Sequence, residues 1–153
     1  MQRVGLISDT HGLLRPEAIA FLGGCDRIVH AGDICDPSVL KALRDIAPLV
    51  AVRGNNDRGD WADAIAIEET LRIEDVSLAV IHDIADLAAR PLPAGVSIVI
   101  HGHSHKPTVV ERDGILYVNP GSAGPRRFKL PISIGELRIA GSQFETRLVT
   151  LIE

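Results

Sequence analysis

From Arg3 to Arg53 the chain alternates three short aliphatic runs with two amphipathic segments, and this alternation constrains the fold more than any other feature. Arg3–Ser8, Arg27–Ala31 and Leu49–Arg53 read as strands. Pro16–Leu22 predicts a helix, with Pro16 at its first position and Gly23–Gly24 stopping it. Asp36 is placed to cap a second helix that begins at Pro37 and runs to about Ala47. A β-α-β-α-β order predicts parallel strands joined by right-handed crossovers.

The second half changes character. Ala66–Ile73, Val76–Ile81 and Ser97–Ile100 read as strands, and a loop or short helix carrying Pro91 and Pro93 separates the last two. Val109–Arg112 and Ile115–Val118 flank Asp113–Gly114, a hairpin signal. Ile132–Ile139 and Phe144–Ile152 pair around Ala140–Gly141. An α/β start with an antiparallel finish predicts two packed sheets with helices outside. No repeat, low-complexity tract or Ser-rich linker interrupts the chain, so residues 1–153 read as one domain. With 46% hydrophobic and 24% charged residues, wholesale disorder is excluded.

Five apolar runs end in the same kind of residue. Val4–Ile7 leads to Asp9-Thr10-His11, Ile28-Val29 to Gly32-Asp33, and Leu49–Val52 to Gly54-Asn55-Asn56-Asp57. Leu78–Ile81 leads to His82, and Ile98–Ile100 to Gly102-His103-Ser104-His105. Open α/β sheets collect ligands outside the carboxyl ends of their strands, so these blocks are expected to converge on one crevice. Carboxylates, imidazoles and an amide are hard-to-borderline metal ligands. Each block alone is unremarkable: Gly-Asp is usually a turn, and a lone histidine such as His82 is more often a core residue. His103-x-His105 is stronger, because period two on an extended strand turns both rings one way. The joint, ordered pattern carries the argument.

Asp9-x-His11, Gly32-Asp33, Gly54-Asn55-x-Asp57, His82 and Gly102-His103-x-His105 resemble the signature of calcineurin-like metallophosphoesterases. Asn119-Pro120-Gly121-Ser122, followed by Pro125-Arg126, resembles the short, cap-less phosphodiesterase branch. The resemblance implies a four-layer α/β/β/α sandwich of two mixed sheets flanked by helices. It also implies a metal-dependent phosphoesterase, most plainly a phosphodiesterase, that attacks with a metal-bridging hydroxide. Asp9, His11, Asp33 and His105 would hold one metal; Asp33, Asn55, His82 and His103 would hold the other. Asp33, Asn55 and His82 would then carry the catalytic work, with a small phosphoester as substrate. Mn²⁺ fits a thiolate-free ligand set first, with Zn²⁺, Fe and Ni²⁺ as alternatives. The family's fuller motif has a histidine, a candidate general acid, where this chain has Asn56, which cannot fill that role, and often glycine where it has Asp83. Asn56, Asp57 and Arg126 remain candidates for roles behind the ligands or against substrate. The retromer subunit that shares this fold supplies a second reading, a metal-binding interaction scaffold with little or no turnover.

Sixteen Lys and Arg against twenty Asp and Glu give a net charge of −4, which argues against nucleic-acid binding through bulk positive charge. Aromatic residues are only 3%, too few for a base-stacking platform. Cys25 and Cys35 form no Cys-x-x-Cys pair, and Cys35 reads as a small buried thiol. A reducing, cytoplasmic setting is expected. Only Val4–Ile7 precedes Asp9 as an apolar run, so no signal peptide is expected. Ile46–Val52 is far short of the roughly 18 residues of a membrane span. An exposed edge strand in the second half would support a homodimer.

Overall fold

A computed structural model describes residues 1–153. The first half forms β1 (Gln2–Ile7), α1 (Pro16–Leu22), β2 (Arg27–His30), α2 (Pro37–Arg44) and β3 (Leu49–Ala51). The three strands are parallel, with Val4 opposite Arg27 and Ile28 opposite Leu49. Pro16 sits at the start of α1, and the Asp36 carboxylate accepts from the Ser38 N–H at 2.9 Å to cap α2. After α3 (Asp60–Asp63) come β4 (Glu68–Ile73), β5 (Val76–Ile81), a 3-10 helix at Ile84–Ala88, and β6 (Val96–Ile100). The chain ends with two hairpins, β7 (Thr108–Arg112) with β8 (Ile115–Asn119), and β9 (Ile132–Ala140) with β10 (Gln143–Ile152).

Two five-stranded sheets result, ordered β10-β9-β1-β2-β3 and β4-β5-β6-β8-β7. Both are mixed. The expected antiparallel finish is redistributed: β9 returns to pair with β1, whereas β8 lies parallel to β6. Period-two patterning of side chains decides the layers. Val4, Leu6, Val29, Leu78, Ile98 and Leu137, all fully buried, fill the space between the sheets. Ile7, Leu22, Ile28, Leu43 and Ile134 pack the outer face of the first sheet under α1 and α2. Burial of each such side chain is worth about 1.5–3 kcal/mol. The outer face of the second sheet is covered more thinly, by the 3-10 helix through Ile84 and Leu87 together with Leu92. The architecture is the expected α/β/β/α sandwich, with its fourth layer reduced to that single short helix.

Several boundaries differ from the sequence reading. α2 stops at Arg44, followed by a turn in which Ala47 N–H still reaches Leu43 C=O at 3.2 Å. α3 was not anticipated; it starts behind Gly59, whose φ of 105° breaks the preceding chain. The chain near Pro91 and Pro93 lies beyond the 3-10 helix, which ends at Ala88. No helix is long and apolar enough to cross a membrane.

Candidate metal centre

The carboxyl ends of β1, β2, β5 and β6 meet where the two sheets touch. Within each sheet the strand-end loops stay paired, Asp9 N–H donating to Gly32 C=O and Gly102 N–H to His82 C=O, both at 3.0 Å. Across the seam His82 Nδ1 donates to Ala31 C=O at 2.8 Å and His103 N–H to Asp9 Oδ2 at 3.1 Å. Asp9, Asp33, His82 and His105 are buried there. Close approach explains two glycines. A Cβ on Gly54 would collide with the Asp33 side chain, and one on Gly102 would lie 2.6 Å from Asp9 Oδ2.

The two carboxylates form the centre. Asp9 Oδ1 is 3.5 Å from His105 Nε2, 3.8 Å from His82 Nε2 and 3.9 Å from His11 Nε2. Asp33 Oδ2 is 3.4 Å from His82 Nε2 and 3.7 Å from His11 Nε2. His11 and His105 meet Nε2 to Nε2 at 3.2 Å. Asp9, His11 and His105 thus offer one set of converging donors, and Asp9, Asp33 and His82 an overlapping one. Asn55 and His103 stand at the rim, with Asn55 Oδ1 3.3 Å from His103 Nδ1.

Asp9 Oδ2 accepts from Ser8 Oγ at 2.8 Å and His103 N–H at 3.1 Å, while its Oδ1 has no hydrogen-bond partner. His82 donates from Nδ1 to the Ala31 carbonyl at 2.8 Å, which aims an unpartnered Nε2 at the carboxylates. Buried polar atoms without partners are costly, commonly 1–3 kcal/mol each. These point inward at one another, and a cation among them would satisfy them together. The donor set therefore fits a metal centre.

Burial raises the Asp9 pKa above the ordinary carboxylate range, more than the His82 charge and the Ser8 hydrogen bond lower it. Asp33 is opposite: burial is outweighed by the His82 ring 3.4 Å away and by the hydrogen bonds from Asn56, and its pKa falls well below the usual value. Burial likewise opposes charge on His82, yet the nearby carboxylates of Asp33 and Asp9 and the bond to the Ala31 carbonyl raise its pKa. His105 is lowered to about 4 by burial, with Arg127 and His11 adding to the effect.

Residues 2–141 match the family model described as the calcineurin-like phosphoesterase superfamily domain. The chain belongs to this superfamily. A probable metallophosphoesterase of Methanocaldococcus jannaschii is 34% identical, over 98% of this chain and 82% of that protein. A phosphodiesterase of the same organism is 27% identical over 78% of this chain and 82% of its own length. Among solved structures, wild-type Vps29 of Entamoeba histolytica complexed with Zn²⁺ superposes with a TM-score of 0.75 at 23% identity, covering 97% of this chain and 99% of that chain, so the fold is shared.

Not every residue singled out from the sequence of this superfamily member arrives where its spacing suggests. His103 and His105 are not on an extended strand: their φ values are 74° and 63°, and they diverge. His105 turns to Asp9 and His11, whereas His103 packs edge-on against His82, ring centroids 5.2 Å apart. Asp57 stays outside the donor clusters. Its carboxylate accepts from the N–H groups of Asp33 (3.0 Å), Cys35 (2.7 Å) and Gly54 (2.8 Å), joining two loops. Asn56 grips Asp33 twice, through its backbone N–H and through Nδ2, both at 2.9 Å. Arg126 is engaged elsewhere, donating to Leu130 C=O at 3.1 Å and Glu153 C=O at 2.7 Å. Cys35 is half-buried, not buried, with Sγ 3.6 Å from His11 Nδ1. Burial and the carboxylates of Asp57, Asp33 and Asp9 push its thiol up to about 11.

Sequence reasoning gave no role to Ser8, Ser122 or Asn119 in holding the ligands, whereas His30 reads from the sequence as a strand residue that is structural or stands behind the ligands, as found. Ser8 fixes Asp9, and Ser122 Oγ donates to the Asp9 carbonyl at 2.9 Å. Buried His30 accepts from Gly32 N–H at 3.0 Å, and its other nitrogen meets Thr10 Oγ1 at 3.0 Å. Burial lowers the His30 pKa to about 3, so it is neutral. Asn119 Nδ2 reaches Gly102 C=O and Ser104 Oγ, both at 3.1 Å, tying the end of β8 to the His103 loop. Placement directly beside a ligand block was the available signal for Ser8.

Proposed function

We propose that this chain hydrolyses phosphodiesters at a centre of two divalent cations. Asp9, His11, Asp33 and His105 would hold one ion; Asp33, Asn55, His82 and His103 would hold the other. The observation that carries the reading is the inward convergence of unpartnered, buried Asp9 Oδ1 and His82 Nε2 beside Asp33. Mn²⁺ is the ion we propose, because carboxylate, imidazole and amide donors occur without thiolate. The bound ions would supply Lewis acidity and lower the pKa of water towards neutrality.

The chain's own groups do the rest. Asp33 lies between the histidines of both halves, and Asn56 fixes both of its oxygens. The Ala31 carbonyl sets the tautomer of His82 by accepting its Nδ1 proton. A crevice of about 430 Å³ opens on the His103 side between Arg53, Ile67, Asp83 and Asp86. It leaves room for an ester group on each side of a phosphate. With the Asn56 amide turned onto Asp33, the leaving oxygen takes its proton from water in this crevice.

Metal-stripped protein should be reloaded with Mn²⁺, Zn²⁺, Fe²⁺ or Ni²⁺, analysed for metal content, and assayed with an aryl phosphodiester and with chelator. Turnover restored by metal and abolished by chelator supports the enzyme. Stoichiometric metal uptake without turnover under any of these ions would leave the interaction-scaffold reading, which Asn56 in place of an imidazole favours.

A further inference from the structure

Asp83 begins the 3-10 helix. Its Oδ1 accepts from Ala85 N–H at 3.0 Å, which pins the carboxylate and leaves Oδ2 3.6 Å from His103 Nε2. The other side of the same ring faces Asn55, with Nδ1 and Oδ1 3.3 Å apart. The His103 backbone is fixed by its N–H bond to Asp9 Oδ2 and stands in the left-handed region at φ 74°. The ring is thus held at its root by Asp9, along one edge by Asp83, and along the other by Asn55. At 46% exposure its side chain is the most open of the histidines in the centre, so burial does little to orient it.

A neutral imidazole has one N–H and here faces an acceptor at each nitrogen. If the proton sat on Nδ1, it would bond to Asn55 Oδ1, and the two groups would satisfy each other. At 3.6 Å the Asp83 carboxylate is just outside hydrogen-bond distance, but its full negative charge favours an N–H dipole on the nitrogen that faces it over a lone pair, and a small closing of the gap makes a charge-assisted bond stronger than the one to the neutral Asn55 amide. Asp83 therefore draws the proton to Nε2. The Nδ1 lone pair and Asn55 Oδ1 are then left facing the same small space as a pair of donors.

We propose that Asp83 is a positioning residue: it selects the Nε2–H tautomer of His103 and so opens His103 and Asn55 as joint ligands of one cation. The consequence for metal binding rests on the two-cation reading above; the tautomer itself does not.

Asp83→Ser separates this role from the cap. Serine is as good an N-cap as aspartate, so the Ala85 N–H keeps an acceptor, but the hydroxyl carries no charge and stops short of His103. The first measurement is the ¹⁵N spectrum of the histidines in full-length, metal-free protein near pH 8.5, where imidazoles are neutral. Wild type should show His103 as the Nε2–H form, and Asp83→Ser should shift population to Nδ1–H. Asp83→Glu, which keeps a carboxylate in reach, should restore the wild-type form. The second is a calorimetric titration with Mn²⁺. In Asp83→Ser the second equivalent should bind about 10- to 100-fold more weakly and the first should be unchanged, with an unchanged melting temperature. An unaltered His103 tautomer in Asp83→Ser overturns the proposal, as does a tautomer shift with no loss at the second equivalent. Uptake of only one equivalent by wild type would defeat the two-cation reading, and the spectrum would still decide what Asp83 does to His103.

Discussion

Replacement of Asn56 by alanine tests whether this position acts on Asp33 or on the departing ester oxygen. In the structure the amide Nδ2 donates to Asp33 Oδ2 at 2.9 Å, while the backbone N–H holds Oδ1 at the same distance. Asn56→Ala removes the first bond and keeps the second. A hydrogen bond to a charged group is worth about 1.5–3 kcal/mol. Asn56 is exposed, so water replaces part of the loss and about 1–1.5 kcal/mol is the better expectation. Expressed in the transition state, that is about a 5- to 12-fold drop in kcat/KM. The effect passes through Asp33, so it should be the same for leaving groups of low and high pKa. The assay compares a nitrophenyl and an alkyl phosphodiester under subsaturating conditions with Mn²⁺. A drop of tenfold or more on the alkyl ester alone would refute this reasoning and return position 56 to leaving-group protonation. Asn56→His, which loses the amide clamp, should slow both esters and rescue neither.

Asp33→Asn should abolish turnover and reduce bound metal to one equivalent or less, measured by elemental analysis; two full equivalents with normal turnover would exclude Asp33 as the shared ligand. His82→Ala should lower the stoichiometry towards one, because Asp9, His11 and His105 still converge, and an unchanged value of two would make His82 a core histidine. Acid stability should depend on Glu136. Burial opposes its charge, but bonds from Arg138, Arg147 and Arg3 prevail and hold its pKa below the usual carboxylate value. A depressed folded-state pKa means stability that is present above the unfolded-state value, about 4.3, and lost as pH falls through the folded value. Wild type should therefore lose more stability on acidification below about pH 5 than Glu136→Gln, as followed by denaturant unfolding; parallel pH curves would refute the linkage.

The sheet seam was legible because strand ends declare themselves. An aliphatic run followed within a few residues by Asp, Asn or His is visible at Asp9, Asp33, Asn55, His82 and His103, and the parallel order of β1–β3 follows from the intervening helices. Side-chain direction was not legible, since it depends on backbone angles that spacing does not encode. Period two aligned His103 with His105 only on the assumption of extended backbone, which φ values of 74° and 63° remove. The same holds for Asn56, whose direction is set by the backbone bond to Asp33. The destination of the last hairpin was equally hidden. Ile132–Ala140 reads as a strand in any sheet, and only the tertiary fold brings β9 beside β1.

The left-handed residues show how the site and the fold compete. Nine non-glycine residues have positive φ, and six of them are Asp9, His11, Asp33, Cys35, His103 and His105. A left-handed L-residue costs roughly 1–2 kcal/mol, less for Asp and His than for bulkier side chains. Such angles persist only where surrounding contacts over-determine them. Here the contacts are identifiable: Asp9 N–H to Gly32 C=O, His11 N–H to Asp33 C=O at 2.9 Å, Asp57 to the N–H groups of Asp33 and Cys35, and Asp9 Oδ2 to His103 N–H. Every one of these bonds ties one strand-end loop to another, and none lies within a helix or a sheet ladder. The sandwich supplies rigid strands such as Val4–Ile7 and Ile98–Ile100, fully buried, and the sharp turns begin immediately beyond them. A turn of that kind aims a side chain back across the seam, where a straight continuation of the strand would carry it into solvent. The strain is thus the means by which two sheets deliver side chains to a single point.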